Sequence, residues 1–390
     1  MLVTDSVFKQ PRFPHLLSAF AACAIPLTLL FFGRFVAIHL EKKTIFQTAP
    51  NDFFLKNQGL ALQRAAAQTP KVFLLYGSSE LTDPIPNRAA DFFANGEKGF
   101  ELCPIGRPGS TPLTMVQRVV ALASNLRNKK IAILISPSFF FRRDLAPASY
   151  AGNFSLLAAD ATIFGSHVDS QLKRDIATRM AQFPETLAKS KLLQIAVDRL
   201  ASGKPLDRIA YTALQPLGLL QNVILNLQDH FETLLYISSG GKTISRRALR
   251  NIFQPLEEKA VATDQRARAK AVGSLVNLGP TGFQERISHA LGWVDLELLF
   301  RALTELRCQV LVLSMPFDGT FYDANGISRS DRQFYYDQTT ELAARYQIEL
   351  KQFEDHDSDS SFQVPHHEHP TAKGWLYYDE VLTEFFRGRQ

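Results

Sequence analysis

Two serines, Ser78 and Ser79, follow five apolar residues, Val72–Tyr76, with only Gly77 between, in the stretch KVFLLYGSSE at 71–80. A serine hydroxyl becomes a useful nucleophile when a neighbouring imidazole takes its proton. Four of the nine histidines, His356, His366, His367 and His369, lie between 356 and 369, interleaved with Asp355, Asp357, Asp359 and Glu368. Imidazoles beside carboxylates suit either a base for the serine or a metal site. The metal reading fails on spacing. There is no HExxH, and Asp355, Asp357 and Asp359 open like a calcium loop but place Ser360 where glycine is required and His366 where a bidentate glutamate belongs. No metal and no other cofactor is expected. The plainest alternative is a solvated polar loop without chemistry.

The elements that would bring the two clusters together can be read from periodicity. The run at 72–76 is long enough for a buried strand, and a strand's carboxyl end is where open parallel sheets bind ligands. Asp83-Pro84-Ile85-Pro86 excludes regular structure after it. A short strand near 100–103 leads into a glycine-rich loop, IGRPGST at 105–111, and Leu113, Val116, Val119, Val120 and Ala123 recur at helical spacing. A third strand at 131–135 ends in Ser136-Pro137-Ser138. The middle, about 169–306, reads as a helical insertion, with long amphipathic stretches at 172–200 and 256–272 and one short strand-like run at 234–237. After it come a helix at 296–306, a strand at 309–314, a helix at 331–346, a strand at 348–353 and a terminal helix at 372–386. Strands alternating with helices predict an α/β fold with a mostly parallel sheet.

The amino terminus has a different character. Residues 16–33 carry no charge and are rich in Leu, Ala, Ile and Phe, with Lys9 and Arg12 before and Arg34, Lys42 and Lys43 after. Eighteen such residues are about the minimum for a span, and 35–40 extend it. The run exceeds a usual signal-peptide core and lacks a small-x-small cleavage site. The division expected is a tail at 1–14, a transmembrane anchor at 15–40, a connector at 41–70 and a domain at 71–390. The flanking charges do not decide the orientation.

Composition bounds the rest. A chain of 390 residues with 46% hydrophobic content can bury a large core. Its net charge of +5 is mild, and nothing in its distribution prompts nucleic-acid binding. Three cysteines, Cys23, Cys103 and Cys308, form neither a disulfide framework nor a metal knuckle.

GSSE at 77–80, IGRPGST at 105–111, ISPSFF at 135–140 with NFS at 153–155, and HPTAKGW at 369–375 occur in an order that resembles the DltD family, the D-alanyl transfer proteins of teichoic acid D-alanylation. The single amino-terminal anchor resembles that family too. The helical middle carries little of the resemblance.

The resemblance implies an SGNH-type, flavodoxin-like three-layer α/β sandwich. It implies Ser79 as nucleophile, with Ser78 in the place of the acid of a Gly-Asp-Ser-like block, and His369 as general base. Backbone donors after Ser79 and at Gly106 or Gly109 would serve the oxyanion, with Ser136 and Asn153 as further substrate contacts. The family usually has aspartate three residues before this histidine, where this chain has His366. Glu368, Asp355, Asp357 or Asp359 would then orient the imidazole, or a Ser-His dyad would act.

The implied activity is that of a membrane-anchored, extracytoplasmic acyltransferase or esterase acting on D-alanyl esters of an anionic envelope polymer. Its implied partners are a membrane-bound O-acyltransferase and a D-alanyl carrier protein, with Arg107, Arg142 and Arg143 near the mouth for the anionic acceptor. The alternatives are an SGNH O-acetyltransferase or esterase of envelope polysaccharide, and a non-catalytic assembly factor, which the absent aspartate favours.

Overall fold

The computed structural model describes residues 14–51, 54–94, 98–239, 272–365 and 368–388. Its centre is a sheet of five parallel strands: β1 (Val72–Tyr76), β2 (Glu101–Ile105), β3 (Lys130–Ile135), β4 (Gln309–Ser314) and β5 (Glu349–Gln352). Their order across the sheet is β2-β1-β3-β4-β5. Tyr76 pairs with Ile105 on one side and with Ile133 on the other, so the carboxyl ends of these three strands lie close to level. The chain leaves β1 for one edge and then crosses back to β3 beyond it. Between β1 and β3 lies the topological switch point, where doubly wound sheets open a crevice for ligands.

Alternation along the strands fills two cores. Ile131, Ile133 and Ile135 of β3 pack on one face with Val116 and Val119 of α3 (Pro112–Ala121) and with Leu299 and Leu303 of α8 (Gly292–Glu305). Ala132 and Leu134 face the opposite way, toward Trp375, Tyr378 and Leu382 of α10 (Ala372–Arg387). Both strand faces are buried, which is why these runs are continuously apolar rather than alternating. Each Leu or Ile so buried contributes about 1.5–3 kcal/mol relative to exposure.

The remaining helices lie around this frame. α1 (Pro14–Thr48) is a single 35-residue helix, followed by α2 (Ala61–Gln68) against β1. Between β3 and α8 come α4 (Leu156–Phe164), α5 (Ser170–Met180), α6 (Lys191–Ser202) and α7 (Pro205–Ser238), and α9 (Arg329–Arg345) precedes β5. Leu234 and Ile237, expected in a short strand, are in the last turns of α7. A four-residue apolar run cannot by itself distinguish strand from buried helix. The expected helix at 256–272 lies outside the described residues except for Val272.

Buried polar bonds tie α1 and the start of α2 to α7: Glu41 of α1 pairs with His230 at 2.7 Å, and Asp229 accepts from the Leu60 and Ala61 N–H groups. Burial raises the Asp229 carboxyl to about 6, against those bonds. The expected anchor at 15–40 falls within α1, where most side chains before Phe32 lie outside the described set. Among the described residues no helix is long and apolar enough to cross a membrane.

Candidate active site

β1 delivers Gly77, and a short 3-10 turn, Ser79–Leu81, begins at once. The Glu80 carboxylate folds back to accept from the Ser78 N–H at 2.5 Å, and the Ser78 hydroxyl donates to the Arg107 carbonyl at 3.3 Å. Ser78 is thereby tied to the neighbouring loop. Ser79 is directed toward His369, with its Oγ 2.9 Å from Nε2 of that ring. That distance is within the range for proton transfer between a nucleophile and its base.

His369 is held by local structure rather than by a long element. The Val364 N–H donates to its carbonyl at 2.9 Å, and Gln363 and Pro370 form an antiparallel bridge, which closes a tight loop. Thr371 caps α10, its hydroxyl accepting from the Gly374 N–H at 3.1 Å. A Cβ at Gly374 would collide with the Phe362 carbonyl, so the first turn of α10 can approach this loop only with glycine there. Trp375 then enters the core beside it.

The other ring nitrogen, Nδ1, meets Oδ2 of Asp83. Asp83 is four residues after Ser79, just past the 3-10 turn, where Thr82 N–H and Oγ1 both bond the Ser79 carbonyl, at 3.0 and 2.9 Å. The prolines that follow forbid a helix and hold the carboxylate at the bend. Serine, imidazole and carboxylate form one chain of contacts, the arrangement that keeps an imidazole in one tautomer and stabilises its cation.

The acids expected for this place are elsewhere. Glu368 is buried and accepts from the Tyr322 hydroxyl at 3.4 Å. Asp357 is clasped by Arg332 at 2.7 and 3.1 Å, while Asp359 accepts from Ser361 and Lys373. Asp355 lies 3.9 Å from His356. His366 lies outside the described residues. Among the described residues no group of three or more His, Cys, Asp or Glu side chains is placed to hold a metal ion.

The loop after β2 lies against the serine turn. A Cβ at Gly106 would collide with the Gly77 carbonyl, so glycine is what lets the two loops touch. The Gly106 N–H is already committed to Asn57 Oδ1 at 2.9 Å and is not presented to a substrate. Asn153 has its amide donors on the Pro108 and Ser149 carbonyls at 3.0 and 3.1 Å, and its Oδ1 takes the Ser110 hydroxyl at 2.9 Å. It braces the loop instead of lining the pocket. Arg118 completes this brace, donating to the Asn57, Thr114 and Asn153 carbonyls. Burial pushes its guanidinium down to about 10, so it is still charged at neutral pH. Ser136 bonds Ser138 through its hydroxyl at 2.8 Å.

Ser78, Ser79, Gly109, Ser138, Phe139, Phe141 and Arg142 line one small cavity of about 80 Å³. Arg107 and Arg143 are not among its lining residues. Cys103 and Cys308 are both free, and Cys308 donates to the Leu126 carbonyl. Asp83, Asn57 and Arg118 were not singled out from the sequence. An acid followed by proline immediately after the serine turn is the one signal that could have marked Asp83.

The DltD protein family matches residues 54–274 and 289–387 of this chain. The matched ranges take in α4 to α7 as well as the strands of the sheet. Protein DltD of Bacillus subtilis (strain 168) is 23% identical over 342 residues, 85% of this chain and 86% of that protein. Protein DltD of Staphylococcus aureus (strain NCTC 8325 / PS 47) is 24% identical over 402 residues, 97% of this chain and 96% of that one. The chain therefore belongs to the DltD family.

Proposed function

We propose that this protein is a serine acyltransferase or esterase that acts on D-alanyl esters during D-alanylation of an anionic, teichoic-acid-like envelope polymer. Membership of the DltD family supports the pathway. One observation carries the chemistry: Ser79 Oγ lies 2.9 Å from His369 Nε2 while Asp83 meets Nδ1 of the same ring.

In this mechanism Ser79 Oγ attacks the acyl carbonyl carbon and its proton passes to His369 Nε2. The tetrahedral intermediate collapses, the leaving group departs with that proton, and the acyl group rests on Ser79. An acceptor hydroxyl, or water, then gives its proton to His369 and takes the acyl group, and the proton returns to Ser79. Asp83 stabilises the imidazolium in both halves. Backbone N–H groups following Ser79 and at Gly109 are the donors proposed for the oxyanion, each worth on the order of 3 kcal/mol where the geometry is right.

The fold proposed is the SGNH-type sandwich, which the 2-1-3-4-5 strand order supports. The domain reading stays as derived from sequence, with the helical segment inserted in a catalytic domain at 71–390. Residues 15–40 are proposed as a single membrane anchor that leaves this domain extracytoplasmic, where a membrane O-acyltransferase and a D-alanyl carrier protein would supply the acyl group. Arg142, on the cavity wall, suits an anionic acceptor. With Asp83 against His369, the missing aspartate at 366 no longer favours a purely structural assembly role.

A fluorophosphonate probe on the full-length protein tests the chemistry. Labelling is expected to vanish in Ser79→Ala and persist in Ser78→Ala. A folded wild-type protein that takes no label would refute the serine mechanism.

A further inference from the structure

The cavity beside Ser79 has a wall that acyl transfer alone does not require. Among its lining residues Asp144 is the one acid and Arg142 the one base; the rest are serines, a threonine, a glycine and apolar side chains. Asp144 lies between the 3-10 turn Pro137–Phe140 and the helix Pro147–Asn153. Its Oδ1 accepts from the Leu145 N–H at 2.7 Å and from Arg179 Nη2 at 2.9 Å. Among the described residues no bond reaches Oδ2.

Neutralising Arg179 does not explain this acid. Arg179 is already clasped by Asp295 at two points, Nε at 2.7 Å and Nη2 at 3.0 Å, which matches one charge with one charge. The three side chains together hold two carboxylates against one guanidinium. The surplus falls on the member that reaches the cavity: the Asp295 side chain is 2% exposed and that of Asp144 40%. Such a carboxylate is indifferent to a neutral acyl chain, repels an anionic one and attracts a cationic one.

We propose that Asp144 selects an aminoacyl group over a plain acyl group by receiving its ammonium on Oδ2. The proposal rests on Ser79 being the nucleophile and deepens that reading. An α-ammonium is two bonds from the carbonyl carbon under attack, so its counter-charge must share a small cavity with the nucleophile, and Asp144 shares this one of about 80 Å³ with Ser79. The ammonium keeps its proton throughout. The bonds made and broken are those of the Ser79 mechanism.

The test compares D-alanyl and propionyl thioesters of N-acetylcysteamine on the full-length protein. The two acyl groups differ by the ammonium alone. Asp144→Asn is expected to lower kcat/KM for the D-alanyl thioester about ten-fold, the scale of a lost hydrogen bond to a charged group, and to leave the propionyl thioester unchanged. The propionyl rate also reports that the variant is folded. The wild-type preference is expected to fade as pH rises through the ammonium pKa, about 7–8. An equal effect of Asp144→Asn on both thioesters, or none on either, overturns the proposal and leaves Ser79 standing. A wild type inert toward both removes the nucleophile reading as well.

Discussion

The carboxylate of Asp83 meets Nδ1 of His369 from the loop that carries the nucleophile, not from the loop that carries the base. One short turn thus supplies both partners of the imidazole, Ser79 on Nε2 and Asp83 on Nδ1. Asp83→Asn keeps the shape of the site but lets the ring adopt the wrong tautomer. A fall in kcat of about 10²- to 10⁴-fold is expected, on the pattern of serine triads. Asp355→Asn, at a site whose nearest partner is His356, is expected to leave kcat within two-fold, at about the noise of an exposed substitution. Turnover rates of the two variants on one ester decide it; an active Asp83→Asn would return the site to a Ser79-His369 dyad.

Gly106 is expected to be as demanding as the triad, for a steric reason. Its missing Cβ is occupied by the Gly77 carbonyl, so Gly106→Ala pushes apart the loops after β1 and β2 and carries Ser79 away from His369. A misplacement of about 1 Å can cost 10²-fold in rate. Overpacking of this kind also costs about 1–3 kcal/mol of stability. Fluorophosphonate labelling rate and thermal unfolding of Gly106→Ala should fall together. A variant that labels at the wild-type rate would show that the loops can part without moving the serine.

Much of the sheet was legible because its signal is local. Val72–Tyr76 and residues 310–313 lie between the two cores, and a strand so placed must be an unbroken apolar run. The Ser79 region was legible because glycine and serine directly after such a run can only form a turn at the strand's end. Asp83 was not, because its partnership is spatial: it is 286 residues from His369, and the resemblance directed attention to acids beside the histidine. Asn57 and Arg118 were hidden for a similar reason. Each satisfies backbone groups of distant loops, which leaves no periodic mark. Leu234 and Ile237 misled because the length of α7 shows only in the whole 34-residue stretch.

Asp357, once a candidate acid, is expected to be structural. It forms a two-point pair with the fully buried Arg332 and accepts from the Tyr336 hydroxyl at 3.1 Å. Asp357→Asn leaves the guanidinium without that counter-charge in the core, and a loss of about 3–5 kcal/mol is expected. Replacing both partners by apolar residues, as in Arg332→Met with Asp357→Leu, should recover part of it, because neither charge is then left unpaired. Denaturant midpoints of the single and double variants make the comparison. A single variant as stable as wild type would show that Asp323, the other partner of Arg332 at 2.8 Å, suffices.

Asp379 of α10 is expected to give the fold a pH dependence whose sign is set by burial. It is fully buried, neither carboxylate oxygen has a hydrogen-bond partner among the described residues, and burial raises its carboxyl from 3.8 to about 8. Between those two values the folded chain holds a proton that the unfolded chain has released. Stability from this group is therefore complete below pH 4, declines as pH rises, and is exhausted above about pH 8. Asp379→Asn removes the titration while keeping the shape. Its advantage over wild type should be near zero at pH 4 and grow to a few kcal/mol by pH 8, rising by at most about 1.4 kcal/mol for each pH unit crossed. In thermal unfolding this is a Tm gain of roughly 5 °C or more at pH 8.5. The titrations common to both proteins cancel in the difference. A gain that is the same at pH 4.5 and pH 8.5 would mean that Asp379 is ionised in the fold with a partner that stabilises it.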